Sequence, residues 1–332
     1  MQALPQKIFS TLTEQEFALL AMELFQFQYQ QNTLYQTYCQ HLHIYPENIT
    51  QLSEIPFLPV SFFKTHQVVT TRFEPEIIFS SSGTSGMQNA RHEVKSLALY
   101  EKSFLESFRH FYGAPEQYCF LALLPNYLER EGSSLVYMLE KLISCSCHQE
   151  SGFYLYEHQQ LYEKLLQLKA LGKKTILFGV SFALLDFAEH YHFDFPELII
   201  FETGGMKGQR KEMVKEELHA LLQQAFGVPS IHSEYGMCEL LSQAYSSGKN
   251  VFQTPPWMKI LFRDEKDPFH ISDQLHTGGI NIIDLANIYS CAFIATDDLG
   301  RKHPEGVEII GRLDGADIRG CNLLTFSVSL PT

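Results

Sequence analysis

Residues 174–205 read KTILFGVSFALLDFAEHYHFDFPELIIFETGG, and this stretch decides the fold class. Two short apolar runs, 174–178 and 198–201, flank a segment with helical patterning from Phe182 to His190. A strand, a helix and a second strand in this order predict parallel strand pairing through a right-handed crossover. We therefore predict an α/β protein with mostly parallel sheets flanked by helices, in which ligands bind beyond the carboxyl ends of the strands.

The same pattern extends outward from this stretch. Apolar runs at 76–79 and 119–124 predict further strands, and an amphipathic segment from about 209 to 226 predicts a long helix. The segment from Thr13 to His43 contains no glycine or proline and predicts one or two packed helices. Two prolines in Ile55-Pro56-Phe57-Leu58-Pro59-Val60 disfavour helix and predict a buried, extended connection.

The pattern changes after about residue 250. Short apolar runs separated by Gly, Asp, Asn and Pro predict antiparallel strands at 280–283, 291–296 and 307–310. We therefore expect an α/β body with an N-terminal helical segment at 1–250. A β-rich subdomain is expected at 251–332.

Composition restricts the classes of function. The 332 residues are 45% hydrophobic and 19% charged, which is typical of a folded globular protein. A net charge of −13 argues against broad electrostatic binding to nucleic acid or anionic lipid. Seven scattered cysteines favour a reducing compartment over a disulfide framework. Without a signal-peptide pattern or an apolar run near the ~20 residues of a membrane helix, we expect a cytoplasmic protein with no membrane span.

A loop of small residues follows the predicted strand at 76–79. It reads Ser80-Ser81-Ser82-Gly83-Thr84-Ser85-Gly86, and it offers hydroxyl groups and unhindered backbone amides that can wrap a polyphosphate. The loop lacks the Gly-Lys-Ser/Thr ending of a Walker loop. Taken alone, it is equally compatible with a solvated turn.

Three further motifs follow downstream. The first places Tyr235, Gly236 and Glu239 together, so that an aromatic ring can stack on a base and a carboxylate can hold Mg²⁺. The second, Thr296 to Gly300, has an acidic pair in a predicted tight turn, where a carboxylate can accept hydrogen bonds from ribose hydroxyls. The third is Gly311-Arg312-Leu313-Asp314. Each motif alone is also compatible with packing or surface turns.

The four motifs in this order resemble those of the adenylate-forming enzymes, which include acyl-CoA synthetases and phenylacetate-CoA ligases. Within that superfamily, the segment from Ile55 to Lys64, the Ser/Gly loop and the ending Ile318-Arg319-Gly320-Cys321 look most like the acyl-protein synthetase subunit of the bioluminescence fatty acid reductase. The resemblance extends from about residue 50 to the end. It implies that 1–250 is an adenylation body and that 251–332 carries nucleotide-binding turns and an acceptor-cysteine tail. It implies that a carboxylate attacks the α-phosphate of ATP, with Mg²⁺ and backbone donors stabilising charge, to give an acyl-adenylate.

The resemblance also implies a role for each matching position. The ATP phosphates would be cradled by Ser81, Ser82, Gly83, Thr84, Ser85 and Gly86. The adenine pocket would be lined by Glu202, Thr203, Gly204 and Gly205, with Tyr235 packing on the base and Gly236 beside it. Asp298 would hold the ribose, Glu239 would coordinate Mg²⁺, and Arg312 would be the catalytic arginine of the Gly-Arg-x-Asp turn.

The end of the chain departs from the larger superfamily. Most adenylating ligases continue past the Gly-Arg-x-Asp turn into a mobile domain, but only 18 residues follow Asp314, so we expect that lid domain to be absent. Acyl-protein synthetases instead pass the acyl group to a cysteine near their C-terminus, and Cys321 stands at that position. A thiolate suits this role because its thioester stays reactive, and Arg319 would lower the thiol pKa. A buried structural cysteine is the alternative.

The favoured substrate is a fatty acid, on the basis of the resemblance and of a chain with 26 Phe and 16 Tyr that can line an apolar tunnel. A downstream reductase, carrier protein or acyltransferase is the expected type of partner. Three other interpretations stay open. The acyl group can pass to a diffusible thiol, such as coenzyme A or a carrier protein. Ser181 can serve a hydrolase, because residues 179–183 imitate a nucleophile elbow. The chain can also be a non-catalytic scaffold.

Overall fold

The computed structural model describes residues 7–10, 12–81, 89–125, 132–204 and 213–313. The predicted site residues outside this part of the chain are Ser82, Gly83, Thr84, Ser85, Gly86, Gly205 and Cys321. The described helices are α1 (Glu14–Gln31), α2 (Thr33–His41), α3 (Phe62–Thr65), α4 (Leu97–Tyr112), α5 (Ser134–Cys145), α6 (His158–Ala170), α7 (Ser181–His190) and α8 (Lys215–Phe226). Among them, none is both long enough and apolar enough to cross a membrane.

The strands belong to a central sheet, a C-terminal sheet and a hairpin. The first seven are β1 (Leu58–Pro59), β2 (Ile77–Ser80), β3 (Arg91–Val94), β4 (Cys119–Leu123), β5 (Gly152–Tyr154), β6 (Thr175–Val180) and β7 (Ile199–Thr203). The others are β8 (His232–Tyr235), β9 (Ala244–Ser246), β10 (Val251–Phe252), β11 (Met258–Arg263), β12 (Thr277–Asp284), β13 (Phe293–His303) and β14 (Gly306–Arg312).

The central sheet confirms the predicted α/β architecture. Its strand order is β5-β4-β6-β7-β8-β9, with parallel pairing up to β8 and an antiparallel β9. Helices pack on both faces. Tyr112 of α4 packs edge-on against Phe201, which stacks on Phe178 with ring centroids 4.3 Å apart. On the opposite face, Leu184 of α7 lies so close to Gly179 that a Cβ there would be 2.5 Å from its Cγ.

The chain after Val251 forms the predicted antiparallel sheet, in the order β10-β14-β13-β12-β11. The double-proline segment adds β1 to it, parallel to β13, because Leu58 pairs with Ile294 and Pro59 with Ala295. This confirms that the segment is extended and buried. The central sheet is the mostly parallel one, whereas the C-terminal sheet is antiparallel. The division at residue 250 stays a prediction.

The acidic pair Asp297 and Asp298 lies within β13, so the prediction of a tight turn is wrong. Turn propensity is overridden here by pairing with β14, whereas β12 pairs with β13 only before and after the acidic pair, at Ala295 and Leu299. Asp298 is the cross-strand partner of Arg312. The registers shift between Leu299 and Gly300, which is a β-bulge immediately after the acidic pair.

Helix α1 is docked on the C-terminal sheet. It begins at Thr13, whose side chain accepts from the backbone N–H of Glu16 while the Glu16 carboxylate accepts from the Thr13 backbone, a reciprocal capping box. Near its other end, the buried Gln28 amide donates to the carbonyls of Asn287 and Ile288 and accepts from Ala292. A long amphipathic helix therefore holds the loop between β12 and β13 in place.

Candidate active site

The candidate site lies at the carboxyl ends of β7 and β8. Glu202 pairs with Ser233 across these parallel strands, so Thr203 and Gly204 come next to Glu234 and Tyr235. These are the strand ends at which an α/β sheet binds its ligands. The structure thus brings together two groups of residues that were predicted to contact the nucleotide.

Tyr235 connects the central sheet to the C-terminal sheet. Its hydroxyl donates a 2.7 Å hydrogen bond to Oδ2 of Asp298, and both side chains are buried. The backbone N–H of Asp298 donates to Oγ1 of Thr296, which fixes the start of the acidic pair. A hydrogen bond to a buried carboxylate is charge-assisted and therefore strong. The predicted base-packing and ribose-binding residues, 63 positions apart, belong to one site.

Arg312 lies beside the acidic pair. Its Nη2 is 3.0 Å from Oδ2 of Asp297, and the Leu313 backbone N–H donates to the Asp297 carbonyl. Asp297 and Asp298 are successive residues of β13, so their side chains point to opposite faces of the strand. Arg312 is therefore positioned through Asp297, whereas Asp298 is engaged by Tyr235. The two predicted motifs meet at this edge of the sheet.

A buried arginine that the sequence analysis missed lies under the acidic pair. Arg263 Nη1 donates to the Ile280 carbonyl and to the Asn281 side chain, and its Nη2 donates to the Thr296 carbonyl. A Cβ at Gly279 would lie 2.7 Å from Cζ of Arg263, so only glycine leaves room for the guanidinium. Burial lowers the pKa of Arg263, and the nearby acidic pair opposes that shift.

Glu202 lies on the same face of the central sheet as Tyr235, next to α7 and α8. Its carboxylate accepts from the Ser181 hydroxyl and lies 3.5 Å from Nζ of Lys215 and 3.7 Å from Nε2 of His219. Burial raises the pKa of this carboxyl, but the cationic and hydroxyl neighbours outweigh burial and lower the pKa to about 2. Lys215 and His219 are four residues apart on α8, so one helical face presents both to Glu202.

The same contacts bear on the hydrolase interpretation. Ser181 is 1% exposed, and its hydroxyl donates to the Glu202 carboxylate. A hydrolytic serine instead needs an accessible hydroxyl hydrogen-bonded to an imidazole base. Ser181 therefore fits the role of a buried partner of Glu202, and the geometry does not support it as a nucleophile.

Glu239 lies in a buried loop that the C-terminal sheet holds. Asp284 accepts from the backbone N–H groups of Leu241 and Ser242, and the Asn287 amide donates to the Glu239 carbonyl. The Cys238 thiol donates to Oε2 of Glu239. Burial raises the pKa of Asp284 despite these donors. The carboxylate predicted to bind Mg²⁺ is thus positioned by a second, buried carboxylate.

The Ser/Gly loop is joined to the Glu239 loop through His92. Ser81 and Ala90 close the base of the loop, because Ala90 N–H donates to the Ser81 hydroxyl and Ser81 N–H donates to the Ala90 carbonyl. Two residues further along β3, Nδ1 of His92 donates a 2.7 Å hydrogen bond to the Cys238 carbonyl. Burial lowers the pKa of His92 to about 4, so its imidazole is neutral at pH 7.

The Glu239 carboxylate is the protein group at this site that would bind Mg²⁺. In the described ranges, no group of three or more His, Cys, Asp or Glu side chains is arranged to hold a metal. Magnesium commonly binds through one or two carboxylates together with substrate phosphates and waters. Glu239 fits this arrangement only when nucleotide phosphates supply further ligands to the ion.

Comparison with known families decides the classification. The acyl-protein synthetase (LuxE) family model matches residues 10–328. The chain belongs to the acyl-protein synthetase family. A curated relative, the long-chain-fatty-acid–luciferin-component ligase of Photorhabdus luminescens, is 37% identical over 71 residues. That match covers 21% of this chain and 60% of the relative, which is less than two thirds of its length.

Solved structures share the fold of this acyl-protein synthetase family member. A 2-hydroxyisobutyryl-CoA ligase in complex with an adenylate aligns with a TM-score of 0.67 and 12% identity, over 95% of this chain and 72% of the other. MatB from Rhodopseudomonas palustris aligns with a TM-score of 0.51 and 16% identity, over 73% of this chain and 49% of the other. At these identities the comparisons establish an α/β fold like that of adenylate-forming ligases.

Several residues that shape this acyl-protein synthetase site had no motif to reveal them. Arg263, Asp284 and His92 act through contacts with residues far away in the chain. The four-residue spacing of Lys215 and His219 was a usable signal, because it places an ammonium group and an imidazole on one helical face. Glu234 stood next to a predicted site residue but matched no motif.

Proposed function

We propose that this protein activates a carboxylic acid with ATP and Mg²⁺ and then transfers the acyl group to a protein thiol. A carboxylate oxygen of the acid attacks the α-phosphorus, pyrophosphate leaves, and an acyl-adenylate forms. A thiolate then attacks the acyl carbon and releases AMP, leaving a thioester. A fatty acid is the first candidate substrate, because the curated relative is named as a long-chain-fatty-acid ligase.

The hydrogen bond between Tyr235 and Asp298 carries this proposal, because it unites two predicted nucleotide motifs from different sheets. In the proposed site, Asp298 binds the ribose and Tyr235 packs on the adenine. Glu202, Thr203, Gly204, Gly205 and Gly236 complete the base pocket. Ser81, Ser82, Gly83, Thr84, Ser85 and Gly86 cradle the phosphates.

Glu239 and Arg312 complete the proposed chemistry. Bound Mg²⁺ supplies positive charge to the phosphate oxygens, and Glu239 is the protein ligand that would hold it. Arg312 is positioned by Asp297 to act on the nucleotide. The acyl acceptor is Cys321, which follows from the family resemblance and lies outside the described residues. Transfer to a diffusible thiol is the second candidate, and a reductase, carrier protein or acyltransferase is the proposed downstream partner.

Carboxylate-dependent exchange of pyrophosphate into ATP tests adenylation. We expect exchange with at least one carboxylic acid, and Glu239→Gln should reduce its rate by at least about 10-fold because a metal ligand is lost. Thr70→Val is the matched control. It removes a buried hydrogen bond to the Ser290 carbonyl, and the hydrogen bonds that the described residues make with the Thr70 side chain involve Ser290 and Asn32, not the Glu239 loop. Wild-type protein without exchange for any acid would refute the ligase assignment.

Labelled acid tests the acceptor. Cys321→Ser should leave pyrophosphate exchange intact and abolish hydroxylamine-sensitive acylation of the protein. Cys147→Ser is the control, because Cys147 is exposed and carries no proposed role. Acylation that persists in Cys321→Ser would place the acceptor elsewhere, and release of the label on a small thiol would favour the second candidate.

A further inference from the structure

A group of polar side chains lies on the face of the central sheet opposite Tyr235. Side chains alternate along a strand, so Thr203 and Glu234 point away from Glu202 and Tyr235. Thr203 Oγ1 donates to Oε2 of Glu234. Tyr245 is the direct cross-strand partner of Glu234 in β9 and lies on the same face.

Gln243 also belongs to this group, because its side chain meets that of Glu234 in the space next to Gly236. A Cβ at Gly236 would lie 2.3 Å from Oε1 of Glu234 and 3.3 Å from Cγ of Gln243, so the two side chains meet there. We refer to Thr203, Glu234, Gln243 and Tyr245 as the polar cluster. A larger residue at 236 would occupy the space between two of its members.

Two members of the polar cluster lack hydrogen-bond partners. The Tyr245 hydroxyl and Oε1 of Gln243 are buried without a partner in the part of the chain that the structure describes. Their side chains are 2% and 4% exposed. An unsatisfied buried polar group costs about 1–3 kcal/mol, so two in one place indicate that something else satisfies them. Burial also raises the pKa of Glu234 to about 7.

The polar cluster adjoins the proposed nucleotide residues. Thr203 follows Glu202 and Glu234 precedes Tyr235, so the cluster lies one residue away from each along the strands. The acid substrate has to lie beside the nucleotide for its carboxylate to reach the α-phosphate. An unsubstituted alkyl chain in this place would leave the Gln243 amide oxygen and the Tyr245 hydroxyl without partners.

We propose that the polar cluster binds the acid substrate through an amino or hydroxyl group, so that the substrate is a substituted acid. Glu234 accepts a hydrogen bond from that group, and Oε1 of Gln243 is the second acceptor. The Tyr245 hydroxyl completes the site as donor or acceptor. This inference rests on the proposed adenylation, and it narrows the substrate class from carboxylic acids in general to those with a hydrogen-bond donor on the chain.

Pyrophosphate exchange with sets of acids of equal chain length tests the substrate class. Each set contains the unsubstituted acid, a hydroxy acid and an amino acid, over a range of chain lengths. We expect kcat/KM for a substituted member to exceed that of the unsubstituted acid by at least about 10-fold, since a site built to hydrogen-bond a group discriminates against analogues without it. Glu234→Leu should abolish or reverse this preference.

Two variants complete the design. Glu234→Gln keeps the size and an acceptor oxygen but removes the charge, so it should retain the preference for a hydroxy acid and lose that for an amino acid. Ser233→Ala is the matched control, because Ser233 is the neighbouring buried residue on the opposite face. It should leave the preference unchanged.

The outcomes separate this inference from the proposed function. Exchange that is as fast with unsubstituted acids, and equally fast in Glu234→Leu, would overturn the inference and leave adenylation standing. No exchange with any acid would overturn both. A change of preference in Ser233→Ala equal to that in Glu234→Leu would also overturn the inference, because the effect would then not come from the polar cluster.

Discussion

Replacing Asp284 by alanine should both destabilise the protein and impair adenylation. The Asp284 carboxylate is fully buried and accepts four hydrogen bonds, from Leu241 N–H, Ser242 N–H, the Ser242 hydroxyl and Ala286 N–H. The Ser242 hydroxyl also contacts the Trp257 indole N–H, so it keeps a partner in the variant. The backbone N–H groups of Leu241, Ser242 and Ala286 would lose theirs.

The size of the effect follows from these contacts. Each buried N–H group that loses its acceptor costs about 1–3 kcal/mol. Removing a carboxylate whose pKa is raised by burial returns part of this cost, because its desolvation is no longer needed. We therefore expect a loss of about 3 kcal/mol in the free energy of unfolding, a large part of the 5–15 kcal/mol typical of proteins.

Urea unfolding measures the change in the free energy of unfolding, and pyrophosphate exchange measures the change in the adenylation rate. Asp284→Asn preserves the side-chain volume and one acceptor oxygen, so it should remain folded while the Glu239 loop loses part of its anchor. Its exchange rate should fall by at least about 10-fold, whereas Thr70→Val should lose only about 1 kcal/mol and keep its activity. An Asp284→Ala protein within about 0.5 kcal/mol of wild type, which is the error of such measurements, would refute this account of the loop.

Three further predictions concern the site itself. Tyr235→Phe removes the hydroxyl that donates to Asp298, so it should raise KM for ATP about 10-fold. Pyrophosphate exchange at varied ATP concentration measures this KM, and an unchanged value would contradict the role of the contact. Arg263→Ala leaves the Thr296 carbonyl and other buried acceptors without donors, so thermal unfolding should show a loss of about 2–4 kcal/mol. Glu234→Gln should change the pH dependence of stability. Because the pKa of Glu234 is raised from 4.5 to about 7 on folding, its favourable contribution is present below pH 4.5 and is lost as pH rises towards 7. Wild type should therefore become less stable relative to Glu234→Gln by about 3 kcal/mol over that range, and parallel stability curves in urea would disprove the shift.

The α/β architecture could be predicted because it depends on local patterns. The strand Thr175–Val180 is buried throughout and carries no polar side chain after Thr175, since both of its faces are covered by helices. The helix at 181–190 and the strand at 199–203 follow in the order that a parallel crossover requires. The pairing of Leu58–Pro59 with β13 had no local signal, because it joins segments that are more than 230 residues apart.

For the candidate site, the sequence indicated residues but not their contacts. Tyr235, Glu239 and Asp298 stood in ordered motifs, and the family resemblance implied a role for each of them. Tertiary structure decided that Tyr235 donates to Asp298 and that Asp284 holds the Glu239 loop, since these bonds cross between the two sheets.

By itself, the sequence determined the fold class, because periodicity is a property of neighbouring residues, and it contains ordered motifs that resemble those of adenylate-forming enzymes. Only the tertiary structure decided the surroundings of each ionisable group. Glu202 and Glu234 are both glutamates at strand ends, yet the pKa of the first is lowered to about 2 and that of the second is raised to about 7. The physical reason is that the pKa of a buried carboxyl depends on neighbours that come from other parts of the chain. Lys215 lies beside Glu202, whereas uncharged groups surround Glu234.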